Sequence, residues 1–417
     1  MSALYSAFDT FPAPKGAAVH IEHMAKALFK SFPEETHSQN LLYVLGGEGL
    51  PKYQRENGVS IHRFSTPIAN YLHRAIAFSG GLKLLLEKPA LNSKGLQMGE
   101  QLKCCHFRDP WSGLTILNYR HKTQADYKTV YEVNGLPSIE LPYAYPHIAP
   151  STLQKIKHQE QMCLAASDLV IVPSQIIAKN LMKMGVSSEK LTVIHNGAPI
   201  VGESYDDFSK HKLKRPALAP KSYLIYFGAL QQWQGVDDLI RALPLLADYP
   251  ELKLVICAAK HNRIAKAYRK LAAKLEIQDR IHWEFGLEQH QLQPWIANAL
   301  VSIAPLTDCR RNMEQGCCPL KVLESMAQGV PVIASDLPVV HELMENEKQG
   351  LLIRPGRPAD IARAVRRLVE DPQLVDTFGQ QGWQRVKESF TWKYAEDKLV
   401  DSYKGLMSVE LDSVCSE

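Results

Sequence analysis

Residues 312–336 read NMEQGCCPLKVLESMAQGVPVIASD, a run that joins a turn, a helix start, two ionisable residues on one helical face and an apolar strand. Pro319 fits the first helical position, where a missing amide hydrogen costs nothing, and Gly329 fits the helix end ahead of a strand at 330–334. The spacing predicts a helix from about 319 to 328. Lys321 and Glu324 then stand three apart and share a face, while Val322, Leu323 and Met326 supply packing surface. The amides of Cys317, Cys318 and Leu320 sit at the positive end of that helix, which favours a diphosphate. A glutamate one turn further in can accept hydrogen bonds from ribose hydroxyls. The competing reading makes Lys321 and Glu324 a solvated pair on an ordinary surface helix.

Cys317 and Cys318 also meet a helix start, which lowers a thiol's pKa. No histidine or other base stands near them in sequence, so small side chains beside a ligand-facing backbone are the simpler account. The eight cysteines show no CxxC and no zinc-like spacing, and Cys104 and Cys105 read as strand core. That usage, and a start at 1–14 with neither a basic opening nor a long apolar core, point to a reducing cytoplasm. The longest apolar stretches, such as 76–86, are too short or too interrupted to span a bilayer.

The elements that must position these residues follow a strand–helix rhythm. Strand-like runs recur at 40–45, 114–117, 129–133, 169–172 and 191–194, and a second series at 223–227, 252–257, 281–285, 300–304 and 330–334. Two parallel-sheet domains follow, joined near the turn signal His195-Asn196-Gly197 and the polar, proline-bearing stretch 203–221. With 417 residues, 45% hydrophobic and 22% charged, the chain suits two globular domains of roughly 200 residues each. A net charge of +4 is too mild to imply a nucleic-acid partner, and no arginine-rich or aromatic-plus-basic run appears, so none is expected; it leaves room for weak attraction to an anionic membrane surface.

Three loops complete the candidate set. FPAPKGAAVH places Gly16 at a loop-to-helix junction, where backbone can approach a phosphate or sugar closely. CCHFRDPWSG presents His106, Arg108, Asp109 and Trp111, and YEVNGLPSIE presents Glu132, Asn134, Gly135 and Glu140, both after strands where open α/β sheets place ligands. Arg108 and Asp109 read equally as a local ion pair capping the strand end, and Trp111 as a sugar platform or as core. His147, His158 and His195 have no metal-like pairing and read as surface or packing residues.

Together these features resemble the retaining GT-B glycosyltransferases of the family 4 type, also called glycosyltransferase group 1, over nearly the whole chain and most strongly over 223–403. In that family Glu-x7-Glu followed by Ala-x-Gly-x-Pro-Val marks the donor site. Glu324, Ala327, Gly329, Pro331 and Val332 stand where its second half stands, so the resemblance assigns Glu324 to the ribose. Gly316 occupies the place of the first glutamate, so the role of holding the donor sugar falls to Glu314, two residues out of register, to backbone amides, or to nothing. FGALQQWQGVDDLIRAL resembles the family's phosphate loop through Gly228 and Gly235, with Ala229 in place of its arginine and Gln234 in place of its lysine. A departing diphosphate needs its charge stabilised. Lys321, in a Pro-Leu-Lys-x-x-Glu arrangement similar to a variant of the group, is the nearest substitute, with the amides at the helix start that Pro319 opens as further donors. Arg310 and Arg311 are alternatives, or else a solvated turn. Asn134 stands where the family has a histidine that contacts the donor sugar; an amide can hydrogen-bond there but cannot act as a base.

The resemblance implies a GT-B fold of two doubly wound, Rossmann-like parallel-sheet domains facing a cleft. Residues 1–200 would form an acceptor-side domain, completed by a C-terminal helix at about 388–410, and 201–387 a donor domain. It implies transfer of a sugar from a nucleoside-diphosphate sugar, with retention and no cofactor or essential metal, to a carbohydrate, lipid-linked or small-molecule acceptor. Polysaccharide or glycolipid assembly is the expected setting. Catalytic roles fall to Lys321, Asn134 and Glu314, and acceptor contacts to Arg108, Asp109, Trp111 and Glu132. A nucleotide-sugar epimerase of the same fold, or a catalytically weak binding partner of another transferase, are the rivals.

Overall fold

The computed structural model describes residues 2–32, 40–90, 96–259 and 263–414. Two α/β units result, one of Met1–Ala13, Ala17–Ile194 and Glu396–Glu417, the other of Pro14–Gly16 and His195–Ala395.

In chain order the first unit contains β1 (Ser2–Thr10), α1 (Gly16–Ser31), β2 (Asn40–Leu45), β3 (Tyr53–Glu56), β4 (Val59–Phe64), α2 (Tyr71–Leu86), β5 (Leu102–Phe107) and α3 (Pro110–Thr123). It continues with β6 (Lys128–Glu132), α4 (Pro137–Ala144), α5 (Pro150–Ala166), β7 (Leu169–Val172), α6 (Gln175–Lys183) and β8 (Leu191–Val193). The sheet order is β3-β4-β2-β1-β5-β6-β7-β8, parallel except for β3 against β4. That edge hairpin turns on Asn57 and Gly58, both at positive φ, the residue pair that a two-residue hairpin loop favours. Strands β2 and β7 are buried along their whole length, as sheets covered on both faces require.

The second unit contains α7 (Tyr205–Lys210), β9 (Ser222–Gly228), α8 (Val236–Ala242), β10 (Leu252–Ala258), α9 (Arg263–Lys274), β11 (Ile281–Phe285), α10 (Gln289–Ala297) and β12 (Val301–Ala304). Then follow α11 (Leu320–Ala327), β13 (Val332–Ser335), α12 (Pro338–His341), β14 (Gly350–Ile353), α13 (Pro358–Glu370) and α14 (Pro372–Ser389). Its sheet runs β11-β10-β9-β12-β13-β14, all parallel. The last helix, α15 (Trp392–Val414), passes from the second unit to the first, where Tyr403 is buried against Phe32.

Three local expectations are corrected. Residues 114–117 are helical, inside α3, because Asp109 caps that helix by accepting from the Ser112 amide and Pro110 opens it. Pro319 is the cap of α11 and not its first residue: its φ of −70° is the proline value, but its ψ of 102° is extended, and its carbonyl accepts the first-turn bond from Val322. Strand β13 starts at Val332, since Gly329 at φ +63° and the Val330 amide, bonded back to Ser325, still belong to the helix's closing turn. Among the described residues no helix is long and apolar enough to cross a membrane.

Candidate functional site

In the second unit the chemistry gathers around α11. All of its residues from Lys321 to Ala327 are buried, and it packs against α14 and α10 and against strands β12 and β13. Lys321 is 8% exposed and Glu324 7%, so the solvated-pair reading fails. The Lys321 ammonium donates to Gln234 Oε1 and lies 4.0 Å from the centre of the Tyr226 ring, a cation–π contact. Glu324 Oε1 accepts from Gln289 Nε2 at 2.9 Å. Burial lowers the Lys321 pKa to about 7, opposed by Cys317 and Glu324 and assisted by Arg311. Burial also raises the Glu324 carboxyl to about 7, opposed by Gln289 and Lys321.

The turn after β9 is shaped by the same neighbours. Gly228 has φ +117°, and a side chain there would begin 3.9 Å from Lys321 Cε. Gly235 has φ +65°, and a Cβ would fall 1.8 Å from the Pro305 carbonyl oxygen, so only glycine fits. Gln234 is thereby fixed beside Lys321, and Ala229 accepts from the Tyr226 hydroxyl through its carbonyl at 2.5 Å.

The other candidates of this unit are less central. Cys317 and Cys318 are buried; Cys318 accepts from the Asn196 amide at its sulfur and from Asn196 Nδ2 at its carbonyl, 2.8 Å. Burial pushes the Cys318 thiol well up, against any nucleophilic role. Glu314 is more than half exposed and ion-paired with Arg310 at 2.7 Å. Arg311 lies over the Trp233 ring at 5.3 Å. Pro14–Gly16 groups with this unit, Gly16 opening α1. Sequence reasoning missed Tyr226 and Gln289, since neither stands near α11 in the chain.

In the first unit the carboxyl ends of β5 and β6, with Tyr5 from within β1 and His20 from α1, surround one buried carboxylate. Glu132 Oε1 accepts from His20 Nε2 at 2.6 Å, from Arg108 Nε at 2.8 Å and from Asn134 Nδ2. Its Oε2 accepts from the Tyr5 hydroxyl at 2.8 Å and from His106 Nε2 at 2.9 Å. Burial works against the Glu132 charge, but His20, Arg108 and these hydrogen bonds more than offset it and hold the carboxyl well below its usual range. Because the ionised carboxylate only accepts, His106 Nε2 carries the proton, and its Nδ1 accepts from the Tyr403 hydroxyl at 2.6 Å. Burial lowers the His106 pKa, so the ring stays neutral.

Arg108 therefore pairs with Glu132, across the sheet, and not with its neighbour Asp109. Asp109 is occupied by the Ser112 amide and hydroxyl and by the Phe8 amide, and burial raises its carboxyl to about 6 against those bonds. Trp111 is core, clustered with Ala75, Leu141 and Ile156. His195 pairs with Glu342 at 2.8 Å. Of the set read from sequence, the structure joins Arg108, Glu132 and Asn134 in one network and Lys321 to Gln234, with Glu324 one turn along the same helix on Gln289. Tyr5, His20 and Tyr403 had no local signal. Among the described residues no group of three or more His, Cys, Asp or Glu is placed to hold a metal ion.

Two Rossmann-like units, one a parallel sheet and the other parallel but for an edge strand, each interleaved with helices, define the GT-B class. Residues 208–385 match the family model described as "Glycosyl transferases group 1", and residues 14–200 match "Glycosyltransferase Family 4". The two matches take in most of the chain, which belongs to the group 1 glycosyltransferases. A D-inositol 3-phosphate glycosyltransferase of Streptomyces bingchenggensis is 28% identical over 258 residues, 60% of this chain and 55% of that protein. The chain thus spans little more than half the length of this relative. The uncharacterized glycosyltransferase MJ1607 of Methanocaldococcus jannaschii is 21% identical over 401 residues, covering 94% of this chain and 95% of its own. Among solved structures, sucrose-phosphate synthase from Thermosynechococcus elongatus superposes with a TM-score of 0.74 at 18% identity, covering 98% of this chain and 100% of that one. Anabaena HepE in complex with UDP-glucose gives 0.70 at 16% identity, covering 97% and 100%.

Two outcomes are expected from these networks. Between pH 4.5 and about 7 folded Glu324 holds a proton that the unfolded chain has lost, so its contribution to stability falls as pH rises. Between about 7 and 10.5 folded Lys321 lacks a proton that the unfolded chain keeps, so its contribution rises with pH. Glu324→Gln should accordingly stabilise the ligand-free protein at pH 8, by roughly 1–3 kcal/mol in urea titrations, and have little effect near pH 4. Glu132→Gln strands the Arg108 charge and a buried donor set; it should cost about 3–5 kcal/mol in the same assay at neutral pH.

Proposed function

We propose that this chain transfers a sugar, with retention of configuration, from a nucleoside-diphosphate sugar held by the second unit to an acceptor held by the first. The observation that carries this is α11: a helix start preceded by a turn, with a buried lysine at its second residue and a buried glutamate one turn on. A diphosphate at that start meets unpaired amides, the helix dipole and Lys321. Glu324 keeps Oε2 for ribose hydroxyls, because Gln289 engages Oε1. Lys321 replaces the cations missing at Ala229 and Gln234, and bears the charge that develops on the departing diphosphate. No metal ion is needed for that neutralisation. The diphosphate itself helps remove the acceptor's proton as its bond to the sugar breaks.

In the first unit Glu132 has both oxygens occupied by five donors, so its part is to fix Arg108 and Asn134, to which we assign the acceptor. Acceptors in polysaccharide or glycolipid assembly fit the family. Anabaena HepE has been solved with UDP, with UDP and glucose, and with UDP-glucose, so uridine nucleotides are the first donors to test.

A second reading, a nucleotide-sugar-binding partner without turnover, is favoured by one observation. The position of the family's first glutamate is Gly316, and Glu314 is turned outward to Arg310.

Thermal unfolding against nucleoside diphosphates and their sugars, with and without chelator, tests the assignment, since a ligand that binds the folded state raises its apparent stability. A base-selective, chelator-insensitive shift lost in Glu324→Ala is expected. No shift with any nucleotide would contradict the donor assignment, and a shift with neither transfer nor donor hydrolysis would favour the second reading.

A further inference from the structure

Lys321 and Glu324 lie one turn apart, opposite in charge and both buried, yet among the described residues neither makes an ion pair with the other. Each is met instead by a glutamine from a different element. The Gln234 carbonyl, in the turn between β9 and α8, accepts from Lys321 Nζ; the Gln289 amide, at the first residue of α10, donates to Glu324 Oε1. Each contact favours one protonation state. An amide carbonyl against an amine favours the ammonium, and an amide N–H against a carboxyl favours the carboxylate.

A neutral partner differs from an ion pair in its consequence. It stabilises a charge without cancelling it, so the charge remains available to a ligand. Position 234 shows the constraint directly: with Lys321 already entering from α11, a second lysine there would set ammonium against ammonium. An amide is compatible with that cation. The remaining groups around Lys321 are the Tyr226 ring at 4.0 Å, Cys317, Arg311 and Glu324, and the charged group acting on Glu324 is Lys321.

We propose that Gln234 and Gln289 are positioning residues that hold Lys321 and Glu324 in their ionised forms and leave both charges to the bound nucleotide, Lys321 to a phosphate and Glu324 to the ribose. The proposal rests on the nucleotide reading above and names the residues on which that reading depends at each end of the ligand.

The test is the affinity of the full chain for UDP-glucose from roughly pH 5 to 9, or for the glucose diphosphate of another base if the panel selects one. Both phosphates of such a ligand are esterified and keep their charge across this range, so the limbs of the profile belong to the protein up to about pH 8.5. Above that the uracil N3–H begins to titrate, and the alkaline limb is read against the same profile for Lys321→Met. Affinity should fall on the acid side as Glu324 protonates and on the alkaline side as Lys321 loses its proton. Gln289→Leu should move the acid limb upward by about half to one pH unit, a three- to tenfold loss there, and move the alkaline limb much less. Gln234→Leu should move the alkaline limb downward by a similar amount and the acid limb much less. Gln234→Glu should move the alkaline limb upward while lowering the maximum affinity, because a carboxylate both stabilises and cancels the Lys321 charge.

Should a leucine variant fail to fold, Gln289→Asn or Gln234→Asn withdraws the amide by one methylene and carries the same expectation. Affinity lost evenly across pH, limbs that move together, or wild-type profiles in the variants would each overturn the positioning roles while leaving the nucleotide site standing. A wild-type chain that binds no nucleoside-diphosphate sugar would overturn the nucleotide reading itself.

Discussion

A buried charge must be answered, and the way this chain answers two of them on α11 organises its second unit. Removing an ammonium or a carboxylate from water costs several kcal/mol, and the usual remedy is to pair them. Lys321 and Glu324 share a face, three residues apart, but turn to Gln234 and Gln289 instead. Other features follow from that arrangement. The turn after β9 has glycine at 228, where Lys321 passes, and at 235, where the Pro305 carbonyl presses in. Tyr226, fully buried, offers Lys321 its ring while its hydroxyl ties back to Ala229. Burial brings the pKa of each group to about 7, and the glutamine contacts work against that pull.

The first unit solves the same problem in the opposite way. Glu132 is surrounded by more donors than a carboxylate ordinarily accepts and is held firmly ionised. Such a group is not available for proton transfer. It is an anchor: strand β1, the ends of β5 and β6, helix α1 and, through His106 and Tyr403, helix α15 all connect to it. Poised carboxylate in one unit and fixed carboxylate in the other is the main electrostatic contrast of the molecule.

Much of this was legible in the sequence where the determinant is local. Proline and glycine punctuate α11 within one or two residues of its observed ends, and the apolar runs at 40–45, 169–172 and 281–285 coincide with strands. Leu114–Leu117 misled because so short a run, three apolar residues and Thr115, has no period of its own, and the capping pair Asp109-Pro110 ahead of it settles the matter as helix. The hairpin at Asn57-Gly58 carried a clear signal that strand-like runs alone did not use. What could not be read is non-local. Tyr5 meets Glu132 from 127 residues away, Tyr403 meets His106 from 297, and Gln289 meets Glu324 from 35. The family resemblance named Lys321 and Glu324, but only the fold shows which side chains meet each of them.

The most direct measurement is a crystal structure of the chain with UDP-glucose bound. The diphosphate is expected at the start of α11, with Lys321 Nζ within about 3.2 Å of a phosphate oxygen and Glu324 Oε2 as close to a ribose hydroxyl. Gln289 should remain on Oε1. A nucleotide bound elsewhere, or one bound there with Lys321 and Glu324 turned to each other and away from the ligand, would contradict the account.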